Sequence, residues 1–334
     1  MSRKITPCYR TEMSLRETER AIKQIKDTFE SKLAHALNLE RISAPLFVRA
    51  NSGINDDLNG VERPVEFDIK FDGSRAVIVH SLAKWKRMAL KSYCFHPGEG
   101  LYTDMNAIRR DEDVDNLHSI YVDQWDWEKV ITREQRTIEF LQQTVRRIAA
   151  SICRSLEEVK NIFPSIQTEL SEKVFFITTQ ELEDLYPNLS PKERENAITR
   201  EHSTVFLMQI GDKLKSGIIH DGRAPDYDDW TLNGDLLFWN EVLEQAFEVS
   251  SMGVRVDAAS LKSQLEKSGA EDRMKYKYHQ MIAADELPLT IGGGIGQSRL
   301  CMLLLQKTHI GEVQVSLWPD SMLEECKKTG IEIL

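Results

Sequence analysis

Residues Leu287 to Gln306 read Leu-Pro-Leu-Thr-Ile-Gly-Gly-Gly-Ile-Gly-Gln-Ser-Arg-Leu-Cys-Met-Leu-Leu-Leu-Gln. A short β-prone run, Leu289-Thr-Ile291, meets four glycines among five residues, and an apolar helix is expected from about Gln297. The pattern is a strand, a bare loop and a helix. Gly292, Gly293, Gly294 and Gly296 remove side chains from the loop, so a flat ligand could lie directly on the backbone. Arg299 falls in the first helical turn, where a guanidinium beside free N–H groups suits a phosphate or a base plane. A glycine-rich turn with a solvated arginine fits the same residues, and the stretch alone does not separate the two.

The elements around it set the fold class. Val65, Phe67, Ile69 and Phe71 alternate with polar residues, Asp72-Gly73 supplies a turn, and Ala76 to Val79 returns as a second strand. Residues 98 to 110 and 118 to 128 add two strands. In the latter, Ile120, Val122, Gln124 and Asp126 share one face and Tyr121, Asp123, Trp125 and Trp127 the other. A glutamine and an aspartate on one strand face suit the wall of a polar pocket. Thr204 to Ile210, Leu232 to Trp239 and Ala246 to Val256 continue the sheet, and Val313 to Trp318 is expected to close it. Ile42 and Leu46 to Val48 read as one strand interrupted by Pro45. Ser14-x-x-Glu17 is a capping box opening a long amphipathic helix through Leu37. Thr132 to Phe163 carries a second apolar stripe, suited to the sheet, another helix or another subunit. The expected fold is therefore α+β, a mostly antiparallel sheet flanked by helices. No repeat or linker divides residues 1–334, so they read as one catalytic domain.

Composition removes several function classes. Lys+Arg 43 against Asp+Glu 53 gives a net charge of -10, which leaves no broad basic face for nucleic acid or an anionic membrane. Cys8, Cys94, Cys153, Cys301 and Cys326 form no C-x-x-C pair, so neither a zinc site nor a disulfide framework is signalled. Reduced thiols and the lack of a membrane-length apolar run make the cytoplasm the expected location. There is no Walker A motif and no H-E-x-x-H, and the glycine run does not spell G-x-G-x-x-G. Asp235 and Glu248 lie on neighbouring strands, where paired carboxylates plus triphosphate oxygens commonly hold Mg²⁺. Surface acids on solvated strand faces would look the same.

Six blocks, taken together, are more specific. His80-Ser-Leu-Ala-Lys-Trp-Lys-Arg87, Gly98-Glu-Gly-Leu-Tyr-Thr103, Tyr121-Val-Asp-Gln-Trp-Asp-Trp127, Arg223-Ala-Pro-Asp-Tyr-Asp-Asp-Trp230, Phe247-Glu-Val-Ser-Ser-Met-Gly253 and Ile291-Gly-Gly-Gly-Ile-Gly-Gln-Ser-Arg299 resemble, in order, the ammonia-dependent asparagine synthetases. These aspartate–ammonia ligases are relatives of the class II aminoacyl-tRNA synthetases. The resemblance implies a class II synthetase-like catalytic domain, acting as a homodimer on ATP, L-aspartate and ammonia. It also implies a β-aspartyl-AMP intermediate and release of L-asparagine, AMP and diphosphate. By the same resemblance, Arg109 and Arg299 are the phosphate arginines, Asp235 and Glu248 hold Mg²⁺, and Gly292, Gly293 and Gly294 lie against the nucleotide. Ser81, Lys86, Gln124, Asp126, Asp228 and Ser251, with Arg255 nearby, are expected to bind aspartate. Asp56 is expected to bind or deprotonate the incoming nitrogen. Asp226, Asp229, His80 and the tryptophans 85, 125 and 127 are expected to shape the structure.

Two departures from the family's pattern stand out. Only Thr231 separates Trp230 from Leu232-Asn-Gly-Asp235, where a longer loop is usual, and Asp57 follows Asp56 in place of the usual Asn. A tRNA-charging enzyme would need a basic surface and an appended domain, and a non-catalytic relative could have lost the arginines and carboxylates. A glutamine-dependent enzyme would need an N-terminal nucleophilic cysteine, and residue 2 is Ser. Ammonia is the expected nitrogen donor.

Overall fold

A computed structural model describes residues 13–56 and 62–334, so Cys8 and Asp57 lie outside the described residues. The strands are β1 (Leu39–Arg41), β2 (Phe47–Arg49), β3 (Glu66–Asp68), β4 (Arg75–Ile78), β5 (Gly100–Ile108) and β6 (Tyr121–Val130). They continue with β7 (Phe175–Thr178), β8 (Thr204–Met208), β9 (Asp228–Asn240), β10 (Gln245–Arg255) and β11 (Thr290–Gly296). The helices are α1 (Leu15–Leu37), α2 (Ala83–Ser92), α3 (Ile138–Ile162), α4 (Thr179–Leu185) and α5 (Pro191–His202). After them come α6 (Ala258–Ser268), α7 (Lys277–Ala283), α8 (Gln297–Leu304) and α9 (Asp320–Thr329).

One eight-stranded sheet runs β1-β5-β6-β11-β10-β9-β8-β7. Its six inner strands pair antiparallel, and only the edge strands β1 and β7 pair parallel to their neighbours. The expected mostly antiparallel α+β architecture is what forms. Alternation along β6 assigns the two faces. Trp125 and Trp127 are fully buried on the side covered by α1, α3 and α8, where the Phe29 ring lies tilted against Trp125 with centroids 4.9 Å apart. The stripe on α3 is thus consumed within the chain. Gln124, Asp126 and Glu128 project to the opposite side. There α2 and its preceding strand cover Leu101, Met105 and Ala107, and α6 with α7 forms a separate cluster around Tyr278.

Local signals behave as expected at both ends of the chain order. Ser14 and Glu17 make a reciprocal capping box on α1, and Ser190 with Glu193 does the same on α5 behind Pro191. Three expectations are corrected. The glycines do not form a loop: Thr290–Gly296 is a central strand paired on both sides. Pro45 separates two strands rather than interrupting one, since β1 joins the large sheet and β2 a three-stranded sheet ordered β2-β4-β3. Val313 to Trp318 forms no strand, because Gln314 and Ser316 are instead used to bond Asp123 and Ser119. The acidic segment is a turn over residues 225–227 and strand from Asp228, where β9 runs straight through Thr231.

Candidate active site

The strand face that carries Gln124 and Asp126 opens into a cleft of about 510 Å³. All of the expected site residues line it except Asp235 and Gly292. The glycines of β11 explain the depth of this cleft. A Cβ on Gly294 would sit 2.3 Å from Gln124 Oε1 and 2.9 Å from Asp126 Oδ1. One on Gly292 would sit 2.3 Å from Glu128 Oε2 and 2.7 Å from Arg255 Nη2. Bare Cα atoms therefore let the side chains of β6 and β10 lie flat over β11. Gly292 makes room for an ion pair beneath the cleft and is not part of its lining.

At this end the charges are buried and interlocked. Lys86 Nζ lies 3.1 Å from Asp126 Oδ1 and 3.1 Å from the carbonyls of Trp127 and Gly293. Its three protons are thus committed, so it steadies Asp126 and supplies positive field without a donor to spare. Arg255 donates to Glu128 Oε2 through Nε at 3.0 Å and Nη2 at 2.8 Å, and through Nη1 to Asp228. Glu128 also accepts from Thr290 Oγ1 at 2.7 Å. Three carboxylates (Asp126, Glu128, Asp228) against two cations (Lys86, Arg255) leave one negative charge uncompensated, and Asp126 Oδ2 is buried without a partner. Burial works against the charge on Glu128, but Arg255 and Lys86 hold its carboxyl below the ordinary range. Burial raises Asp228 and lowers Lys86.

The opposite end is built from arginines. Arg109 follows β5, is about a third exposed, and has a buried Nε without a partner. Arg299 in the first turn of α8 donates from Nη1 to the Glu248 carbonyl at 3.1 Å, with the Glu248 carboxylate 3.8 Å away. Arg223 pairs with Asp235 and, at 3.2 Å, with Asp221. Asp235 consequently sits behind Arg223 and does not face the cleft as freely as expected. Burial raises the Asp235 carboxyl, and the neighbouring Glu248 adds to the shift. Burial likewise opposes ionisation of Glu248, yet Arg299 and Arg223 keep it charged. Among the described residues no group of three metal-ligating side chains gathers. Two adjacent acids, one with the buried and unpartnered oxygen Asp235 Oδ1, still fit a hard cation that takes its other ligands from phosphate oxygens.

Asp56 enters the cleft from a third side. Its N–H and that of His80 both donate to Asn55 Oδ1, at 3.0 and 2.8 Å, and His80 Nδ1 lies 3.1 Å from the Asp56 carbonyl. Lys84 Nζ reaches the Asn55 carbonyl at 3.2 Å and the buried Asp226 at 2.8 Å. Asp226 also pairs with Arg273 and His279, so it is a structural anchor, as Asp229 is through Arg136. Ser81 accepts from the N–H of Ala83 and Ser251 lies opposite Gly294 on β10. Glu128, Arg223 and Lys84 escaped the sequence reading. Glu128 simply continues the alternation of Gln124 and Asp126, a signal that was present. The roles of Arg223 and Lys84 depend on partners that only the fold brings near.

Residues 16–330 match the model of the family described as aspartate-ammonia ligase. A protein of Ruminiclostridium cellulolyticum named aspartate–ammonia ligase is 60% identical over 327 residues, covering 98% of this chain and 97% of the relative. One from Levilactobacillus brevis with the same name is 59% identical over 331 residues, covering 99% of each. Among solved structures, asparaginyl-tRNA synthetase of Entamoeba histolytica with asparaginyl-adenylate superposes with a TM-score of 0.63 at 14% identity. The match spans 90% of this chain and 66% of that one. The Pyrococcus horikoshii enzyme in its asparaginyl-adenylate complex also gives 0.63, at 15% identity, spanning 90% and 70%. At such identities the likeness establishes the catalytic fold of class II synthetases and nothing finer. With its sequence matched from end to end to ligases of known name, the chain belongs to the aspartate–ammonia ligase family.

Proposed function

We propose that the chain makes L-asparagine from L-aspartate and ammonia, cleaving ATP to AMP and diphosphate through β-aspartyl-AMP. The observation that carries this reading is one cleft with an ammonium-seeking floor at one end and two arginines at the other. Aspartate fits the floor with its α-ammonium on Asp126 Oδ2, where the uncompensated negative charge lies. Ser81, Ser251 and the Gln124 amide supply hydrogen bonds to the α-carboxylate. The β-carboxylate then points along the cleft toward Arg109 and Arg299.

Attack of a β-carboxylate oxygen on the α-phosphorus of ATP forms the acyl phosphate bond and expels diphosphate. Arg109 and Arg299 stand where negative charge grows on the α-phosphate and stabilise it without reorganising. Mg²⁺, held by Asp235 and Glu248 with the phosphates, would neutralise charge on the leaving diphosphate. Arg223 shares Asp235 and so links that position to the cleft wall. In the second step the nitrogen attacks the acyl carbon and AMP departs. Asp56, buried beside His80, is placed to accept the proton that ammonium must lose first. The net charge of -10 favours small-molecule substrates over tRNA. Assembly as a homodimer is what the family resemblance implies, and reduced thiols with no membrane-length apolar run favour the cytoplasm; a one-chain mass by light scattering would remove the dimer.

The test is direct. Pure protein with ATP, Mg²⁺, L-aspartate and ammonium chloride should yield AMP and asparagine in equal amounts by mass spectrometry, with glutamine unable to replace ammonium. No asparagine under these conditions, with nucleotide still bound, would overturn the reading.

A further inference from the structure

Arg299 reaches the cleft from the first turn of α8, and that turn has an unusual support. The residue at the N-cap position is Gly296, which has no side chain to accept the free N–H groups of the helix start. The missing acceptor comes from another strand. Asp123 on β6 accepts from the backbone N–H of Ser298 at 3.0 Å through Oδ1 and from Ser298 Oγ at 2.8 Å through Oδ2. Gln314 Nε2 braces the same pair, 3.0 Å from Ser298 Oγ and 3.3 Å from Asp123 Oδ1. Lys26 on α1 supplies the counter-charge, with Nζ 3.1 Å from Asp123 Oδ2. Gln297 is tied separately to Asp104 at 2.9 Å. Asp123 is buried, and its carboxylate is bonded to Ser298, Gln314 and Lys26.

We propose that Asp123 is a positioning residue for the adenylation step. Its carboxylate caps α8 from the neighbouring strand and so aims the Arg299 guanidinium into the cleft. Gly296 at the end of β11 has no side chain with which to cap the helix that follows. Asp123 supplies the missing acceptor. The neutral alternative, a buried ion pair with Lys26 that serves only stability, accounts for Oδ2 but not for the bond from Oδ1 to the Ser298 N–H. The proposal rests on the reading of Arg299 as a phosphate ligand.

Adenylation is measured alone by aspartate-dependent exchange of labelled diphosphate into ATP, without ammonium. Asp123→Ala should lower its kcat about tenfold, the equivalent of one lost cap, while the KM for aspartate moves less than about twofold. Asp123→Asn keeps an acceptor for the Ser298 N–H and should retain most of the rate. In an Arg299→Lys background, Asp123→Ala should cost less than about threefold more, because the group it aims is already changed. A wild-type exchange rate in Asp123→Ala, or full additivity with Arg299→Lys, would overturn the proposal. If Asp123→Ala does not fold, Ser298→Ala removes one of the two contacts without touching the charge. It should slow the same step, and an unchanged rate there overturns the proposal as well. An unchanged rate in Arg299→Lys would instead remove the role given to Arg299, whatever Asp123 does.

Discussion

Substitution of single glycines by alanine along β11 tests whether the strand is bare for the sake of its neighbours. In Gly292→Ala the new Cβ would lie 2.3 Å from Glu128 Oε2, 2.7 Å from Arg255 Nη2 and 2.7 Å from the Trp127 carbonyl. Ordinary contact needs about 3.5 Å, so the carboxylate must retreat by about 1 Å. The backbone carbonyl cannot follow without disturbing the β6–β11 ladder. Overpacking of this kind costs about 1–3 kcal/mol. Partial loss of the buried Glu128–Arg255 pair adds a few more, toward the roughly 3–5 kcal/mol of a broken buried pair. Reduced freedom of the unfolded chain returns only about 0.4–1 kcal/mol. The expected net loss is about 3–5 kcal/mol. Gly296→Ala is the internal control, since its nearest neighbour would be Arg299 Cβ at 3.1 Å, and its stability should change by less than about 1 kcal/mol. Urea unfolding followed by tryptophan fluorescence measures both, with Trp125 and Trp127 on the adjoining strand as reporters. Equal stabilities for the two variants would refute the account of the glycines.

Three further outcomes follow from the site. Asp126→Asn should raise the KM for aspartate about 10- to 100-fold, the loss of one charge-assisted contact, with the KM for ATP unchanged; an unchanged aspartate KM would show that the α-ammonium binds elsewhere. Asp56→Ala should leave diphosphate exchange intact and slow asparagine release about 10²- to 10⁴-fold; equal losses in both half-reactions would remove it from the nitrogen step. His309 is held neutral, with burial lowering its pKa to about 4 and its Nδ1 accepting the Gly311 N–H at 3.0 Å. Its folded value lies below the unfolded value of 6.5, so its contribution is complete above 6.5 and is lost as pH falls toward 4. Wild type should therefore lose up to about 3 kcal/mol more than His309→Gln between pH 7.5 and pH 4, and parallel acid limbs would contradict this.

Much of this arrangement was legible before any coordinates. Period-two alternation on β6 correctly set Gln124 and Asp126 against Trp125 and Trp127, because both faces of a central strand are specified, one by the core and one by the cleft. The same rule should have carried the reading two residues on to Glu128. The glycines of β11 read as a loop because glycine has low strand propensity. What holds them extended is registry with β6 and β10, a long-range fact invisible in the local pattern. Val313 to Trp318 has the alternation of a strand but joins neither sheet. Asp235 and Glu248 were rightly placed on neighbouring strands. That Arg223 already occupies Asp235 could be learned only from the fold, since nothing in the sequence says which acid an arginine of a loop will meet.

The position of β11 has a consequence for how the protein comes into being. Strands β5 with β6, and β9 with β10, are neighbours in the chain and can pair as soon as each is synthesised. The strand that joins these two halves into one sheet is the last of the eleven, residues 290–296. A ribosome-bound chain can thus carry every acid of the aspartate floor and still have no floor, because Asp126 and Ser251 face each other only across Gly294. Catalytic competence is withheld until the longest-range pairing in the molecule closes, and no fragment ending before residue 290 can report on the chemistry.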